Sequence, residues 1–261
     1  MDIVSLVENT GPLLVSFPHS GTFVTQAIKE TLTQAALLLP DTDWHVPRLY
    51  GFLADMPVST ITANYSRYVV DVNRFSQGSA LYPGQSETEV CPTTTFSEHA
   101  IYLQGKSPNK AQIDQRIQAY WQPYHKTLAD QLERIKAIHG YALLWDAHSI
   151  DSVVPRFFTG TLPDLNLGTA ESLSCRPDLG NHLFKMMQQS QFSAVRDSRF
   201  KGGYITRHYG QPQRGIHAVQ MEIAQSTYME EHSDNGYDET KAAKLGEFLQ
   251  TMILALSRTK I

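Results

Sequence analysis

The sequence predicts an α/β protein, a sandwich around one mixed sheet. Three observations predict it. Apolar runs of strand length recur, several continuous rather than alternating, as in strands buried on both faces. Amphipathic helical patterns separate them. The chain has 261 residues, 41% hydrophobic and 18% charged, enough to bury one core without disulfides or a structural metal. No repeat, low-complexity tract or linker divides it, so residues 1–261 read as a single domain.

In chain order, the expected strands are Leu13–Phe17, Val58–Thr62, Tyr68–Val72, Tyr141–Trp145, Phe192–Arg196 and Ile216–Ile223. Between the first two, Val46 to Leu53 is an apolar stretch of helical character behind Asp41 and Asp43. The clearest helix covers Asn109 to His139. There Ile113, Ile117, Tyr120, Trp121, Tyr124, Leu128, Leu132 and Ile135 form one stripe, and Pro123 is expected to kink or split it. Further helices are expected over Pro177–Gln189 and Glu239–Leu256. Gln77–Ser107 and Ser149–Arg176 are rich in Pro, Gly, Ser and Thr and read as long loops, which in compact domains are functional or mobile.

Charge narrows the function. There are 22 Lys+Arg against 26 Asp+Glu, a net charge of −4 with no basic run, which argues against nucleic acid or an anionic membrane surface as partner. No apolar run approaches the roughly 18 residues of a membrane span. The N-terminus lacks a basic region followed by an apolar one. Cys91 and Cys175 lie far apart, as in a reducing compartment. The expectation is a cytoplasmic protein acting on a small molecule. No spacing addresses oligomeric state. GxGxxG, Walker A and GxSxG patterns are absent, so nucleotide binding and serine hydrolysis lack support.

The chemistry-bearing residues cluster at strand ends. Leu13–Phe17 runs into Pro18-His19-Ser20-Gly21, and Leu143-Leu144-Trp145 runs into Asp146-Ala147-His148-Ser149. Ligands of open α/β sheets bind at the carboxyl ends of strands, so both histidines are delivered to the expected place. Asp146, two residues before His148, suits the carboxylate that orients a metal-bound imidazole. In Asp41-Thr42-Asp43-Trp44, either aspartate serves as a helix cap or as a third metal ligand. Asn73-Arg74 follows Tyr68–Val72 and offers an amide beside a guanidinium fork; the plain alternative is an Arg paired with Asp71. Glu222 stands in an otherwise apolar run, where a carboxylate is either ion-paired or raised in pKa for acid/base work. Lys201–His208 is a polar segment hinged at Gly202-Gly203.

Taken in order, Pro18-His19-Ser20-Gly21, Asp41-Thr42-Asp43-Trp44, Asp71-Val72-Asn73-Arg74, Asp146-Ala147-His148-Ser149 and Gln220-Met221-Glu222 resemble the N-formylglutamate amidohydrolases. Leu165–Thr169, Gly202–Arg207 and Ser226–Glu230 extend the resemblance over nearly the whole chain. It implies a three-layer α/β/α sandwich, phosphorylase/hydrolase-like and related to zinc carboxypeptidases and aspartoacylases. By position it implies one divalent metal, zinc by default, held by His19, Asp43 and His148, with Asp41 the rival of Asp43. Asp43 lies 24 residues after His19, farther than the acidic ligand of those relatives. It further implies Glu222 as catalytic acid/base and Arg67, in Arg67-Tyr68, as the group polarising the scissile carbonyl. Asn73 and Arg74 would grip the α-carboxylate and Arg207 the side-chain carboxylate, with Thr206 also at the substrate. The implied reaction is hydrolysis of N-formyl-L-glutamate to formate and L-glutamate in histidine breakdown. The competing readings are another N-acyl acidic amino acid as substrate, or a non-catalytic small-anion binder.

Overall fold

The computed structural model describes residues 1–78, 87–231 and 236–261. The strands are β1 (Val4–Val7), β2 (Leu13–Phe17), β3 (Ser59–Ala63), β4 (Ala142–Ile150), β5 (Leu165–Gly168), β6 (Ala194–Arg196) and β7 (Ile216–Ala224). They form one mixed sheet in the order β1-β3-β2-β4-β7-β5-β6. Strands β3, β2, β4 and β7 run parallel, while β1 and β5 are antiparallel to their inner neighbours. The helices are α1 (Gln26–Lys29), α2 (Gln34–Leu37), α3 (Val46–Leu49), α4 (Lys110–Arg116), α5 (Gln122–His139), α6 (Pro177–Gln188), α7 (Tyr204–Tyr209) and α8 (Glu239–Ser257).

Side chains alternate across each strand, and the two faces meet different helices. Leu13, Val15, Leu143, Trp145, Val219 and Met221 pack with α3, α6 and α8. Leu14, Leu144, Ala142, Ile216 and Ala218 pack with Tyr124, Leu128, Leu132 and Ile135 of α5 and Ile205 of α7. This is the expected three-layer sandwich. On the α5/α7 face the strands change character along their length. Their amino-terminal halves are apolar, whereas Ser16, Asp146, His148, Gln220 and Glu222 carry the same face toward the carboxyl ends, all buried. The parallel register aligns Asp146 with Gln220 and His148 with Glu222. A core made polar at one end only is where a site is built.

Several sequence expectations change. Tyr68–Val72 is a buried turn, not a strand, because Ser66 O and Oγ accept from Val69 N and Tyr68 N and reverse the chain. Its apolar residues pack inward all the same. Strand β5 lies inside the expected loop Ser149–Arg176, and short β1 was not expected. The long helix is not interrupted at Pro123. A π turn, Ile117–Trp121, precedes α5 and places Pro123 in the first turn beyond it, where its missing N–H falls at a change of hydrogen-bond register. Of the Gln77–Ser107 loop, residues 79–86 lie outside the described residues.

Candidate active site

His19, Asp43 and His148 come together although 129 residues separate the first from the last. His19 follows β2. The turn after it needs Gly21, because a Cβ there would sit 2.5 Å from both Ala63 O and Tyr65 O. Asp43 is tied to this turn by its own N–H, which donates to His19 O at 3.1 Å. His148 lies near the end of β4.

Both imidazoles are turned the same way. His19 Nε2 donates to Asp71 Oδ1 at 2.7 Å, leaving Nδ1 3.9 Å from Asp43 Oδ2. His148 Nδ1 is 3.1 Å from the same Asp43 oxygen. Its Nε2 has Asp146 Oδ2 at 3.1 Å and the Asn73 amide nitrogen at 3.0 Å. A ligand on Nδ1 places the proton on Nε2, where Asp146 accepts it. One donor atom from each of the three residues lies within 4.8 Å of the other two, and all three are buried. Two imidazole nitrogens and a carboxylate, backed by further carboxylates, are the donor set and outer shell of a zinc-type site. The residues fit a divalent cation.

Without a cation, the electrostatics of the two imidazoles differ. Burial and the nearby Arg67 cation lower the pKa of His19, keeping it neutral as a ligand must be. Burial works against protonation of His148, but Asp146 and Asp43 outweigh it and raise its pKa well above the usual value. Burial also opposes ionisation of Asp71, yet His19 and Arg67 hold its carboxyl well below the usual range. Asp71 therefore stays charged and bridges His19 to Arg67, whose Nη2 donates to Asp71 Oδ2 at 2.6 Å.

Asp71 was read from the sequence only as a salt-bridge partner, and that pairing is real, with Arg67 rather than Arg74. Its second bond to His19 makes it part of the site. Asp71→Asn should weaken metal binding about 10- to 100-fold. It should also cost up to about 3–5 kcal/mol of stability by leaving Arg67 buried without a full counter-charge. Metal titration and thermal unfolding of the variant check both; wild-type metal affinity would remove Asp71 from the site.

The cluster opens into a cleft lined by both histidines, Asp43, Arg67, Asn73, Arg74, Glu222, Glu87, Phe96, Phe157, Arg199 and Phe200. Glu222 lies on β7, in register with His148 of the adjacent β4. Burial raises its pKa to about 7, with the Asp43 charge adding to the rise, while His148, Arg67 and the Gln220 hydrogen bond pull the other way. Gln220 Nε2 donates to Glu222 Oε2 at 2.9 Å, and Gln220 Oε1 accepts from Gly203 N at 2.6 Å, so one amide fixes the carboxylate. Gln220 was not singled out, though its position two residues before Glu222 on one strand face was the available signal.

The remaining sequence candidates divide. Arg67 lies with its guanidinium 4.7 Å from the Phe96 ring centre and reaches the cleft. Arg74 is oriented by Thr88, donating from Nε to Thr88 O at 3.1 Å and from Nη2 to Thr88 Oγ1 at 3.2 Å. Asn73 joins the site from below. Its Nδ2 meets His148, its Oδ1 accepts from Ile205 N at 2.8 Å, and Gly203 passes so close that a Cβ would lie 2.4 Å from Nδ2. Thr206 is fully buried, with Oγ1 donating to Asp146 Oδ2 at 3.3 Å, and is not a cleft-lining residue. Arg207 is not one either; its Nε donates to Gly202 O at 2.8 Å. Asp41 is held elsewhere, accepting from Tyr68 OH at 2.7 Å and from Phe96 N. Arg199, which nothing in the sequence marked, stands on the cleft wall.

The family model described as N-formylglutamate amidohydrolase matches residues 11–229. A Pseudomonas aeruginosa protein named N-formylglutamate deformylase is 45% identical over 257 residues, covering 97% of this chain and 96% of that protein. A Pseudomonas putida protein of the same name is 43% identical over 255 residues, covering 97% and 95%. Among solved structures, an N-formylglutamate amidohydrolase from Ralstonia eutropha superposes with a TM-score of 0.83 at 23% identity, covering 97% of this chain and 96% of that one. A gene product of Agrobacterium tumefaciens superposes at 0.76 and 17% identity, covering 98% and 96%.

Proposed function

The chain belongs to the N-formylglutamate amidohydrolase family, and we propose that it is a metal-dependent amidohydrolase cleaving N-formyl-L-glutamate to formate and L-glutamate. The observation that carries the reading is the convergence of two outward-braced imidazoles on Asp43, beside a buried carboxylate with a pKa of about 7. His19, Asp43 and His148 would hold one divalent cation, zinc by donor type. Such a cation supplies a Lewis acid and lets water act as a nucleophile near neutral pH.

The chain's own residues supply the rest. Glu222 takes a proton from the attacking water and returns it to the leaving nitrogen. Its buried setting brings its pKa near the working pH, which favours both transfers. Gln220 holds the carboxylate in one orientation through both steps. Arg67 faces the scissile carbonyl and stabilises the negative charge that develops on its oxygen; one such donor is typically worth about 2.7–4 kcal/mol. Asp71 keeps that guanidinium in place. Arg74 receives the α-carboxylate on a fork oriented by Thr88, with Asn73 fixing the turn beside it. A reaction that consumes N-formyl-L-glutamate and releases free glutamate suits the end of a route degrading histidine, in the cytoplasm.

Amine release by the purified protein from N-formyl-L-glutamate, compared with N-acetyl-L-glutamate and N-formyl-L-aspartate, tests the reading. The formyl-glutamate substrate should be turned over fastest, with about one metal per chain measured on the same sample. A clear preference for either other substrate would move the activity to another N-acyl acidic amino acid, and absence of turnover on all three would overturn it.

A further inference from the structure

We propose that Arg199 is the residue that selects a substrate with a second carboxylate. This rests on the functional reading above and extends it to the side chain of the substrate. A dianion in a protein of net charge −4 needs two local cations besides the one facing the scissile bond. The cleft wall provides Arg74 and Arg199. Arg207, the sequence candidate for this role, is not among the residues that line it.

Arg199 is oriented by its neighbours. Its Nε donates to Phe157 O at 2.6 Å, and its guanidinium carbon lies 5.4 Å from the ring centres of both Phe157 and Phe200. These contacts fix the plane of the fork, and a planar, oriented fork is what recognises a carboxylate through paired hydrogen bonds.

The loop that carries Arg199 is pinned at several points. Asp197, at φ +48°, accepts from Thr169 N at 2.7 Å, and Lys201 O accepts from Ala170 N at 2.6 Å. Ala170, Glu171 and Ser172 all take left-handed backbone angles against this loop, a strained run that persists only where the surroundings enforce it. At its far end Gly203 N bonds to Gln220, the residue that orients Glu222. Arg207 braces the same loop through Gly202 O. The division is a recognising arginine on the cleft wall and a bracing arginine behind it.

The test compares N-formyl-L-glutamate with N-formyl-L-norvaline, which ends in a methyl group where glutamate has its side-chain carboxylate. Arg199→Gln should lower kcat/KM for N-formyl-L-glutamate about 10- to 100-fold, chiefly through KM, as loss of a charge-assisted pair does. On N-formyl-L-norvaline it should change kcat/KM less than about 3-fold, so the preference collapses. Arg207→Gln should affect both substrates alike. An equal fall on both substrates in Arg199→Gln, or a selective fall in Arg207→Gln, overturns the inference. Should circular dichroism show Arg199→Gln unfolded, Arg199→Lys decides. It keeps the charge without the fork, so the preference should drop several-fold, and an unchanged preference overturns the assignment. If the wild-type protein hydrolyses neither substrate, the functional reading fails and this inference with it. If the wild type prefers N-formyl-L-glutamate and Arg199→Gln keeps that preference, this inference alone fails.

Discussion

Glu222→Gln is expected to lower kcat by about 10²- to 10⁴-fold, the range removed with a general acid/base. The substitution keeps the size of the side chain and an acceptor for Gln220, so the fold and the position of β7 should persist. It removes the only function the proposal gives Glu222, which is to accept and return a proton. Metal content should stay at the wild-type level, because His19, Asp43 and His148 form the cluster without it. Loss of metal in this variant would instead move Glu222 into the ligand set. The pH profile gives a second check. A base must be unprotonated to act, so wild-type kcat/KM should fall as the pH drops through the pKa of Glu222. Burial puts that pKa at about 7 in the metal-free cleft, and positive charge held at the cluster lowers it, so the acid limb should lie below 7. Glu222→Gln should lack that limb.

Asp43→Ala should abolish both bound metal and turnover, a loss on the order of 10³-fold or more if several kcal/mol of charge stabilisation depend on the cation. The reason is geometric. Asp43 Oδ2 is the one atom that both Nδ1 atoms face, at 3.9 and 3.1 Å. Without it the two imidazoles still point inward, but the third donor and the only carboxylate of the set are gone. Asp41→Asn is the matched comparison. Its carboxylate is occupied by Tyr68 OH and Phe96 N, so the variant should keep its metal. Metal analysis of the two purified variants and of chelator-treated wild type, followed by zinc addition, separates the cases. One metal per chain in Asp43→Ala would overturn the assigned site.

The legibility of this protein followed the range of the forces involved. Local periodicity made β2, α6 and α8 readable almost to the residue, since a buried strand or a striped helix records its neighbours in its own composition. Tyr68–Val72 misled for the same reason. Its apolar residues are buried as a strand's would be, and only the Ser66 hydrogen bonds turn the chain. Strand β5 went unread because it is a run of four residues, preceded by Pro163 and ending in Gly168, too short to show a period.

By itself, the sequence determined the α/β layering, the placing of His19, His148 and Glu222 at strand ends, and the motif series that marks the family. These are local facts: residue type, alternation and order. Only the tertiary structure put Asp43 rather than Asp41 beside the two histidines, joined Asp71 to both His19 and Arg67, and left Thr206 and Arg207 off the cleft wall while putting Arg199 on it. Those outcomes depend on where separate chain segments meet and which way each side chain turns when they do. Hydrogen bonds over 2.6–3.3 Å fix that, between residues whose separation in sequence carries no record of the contact.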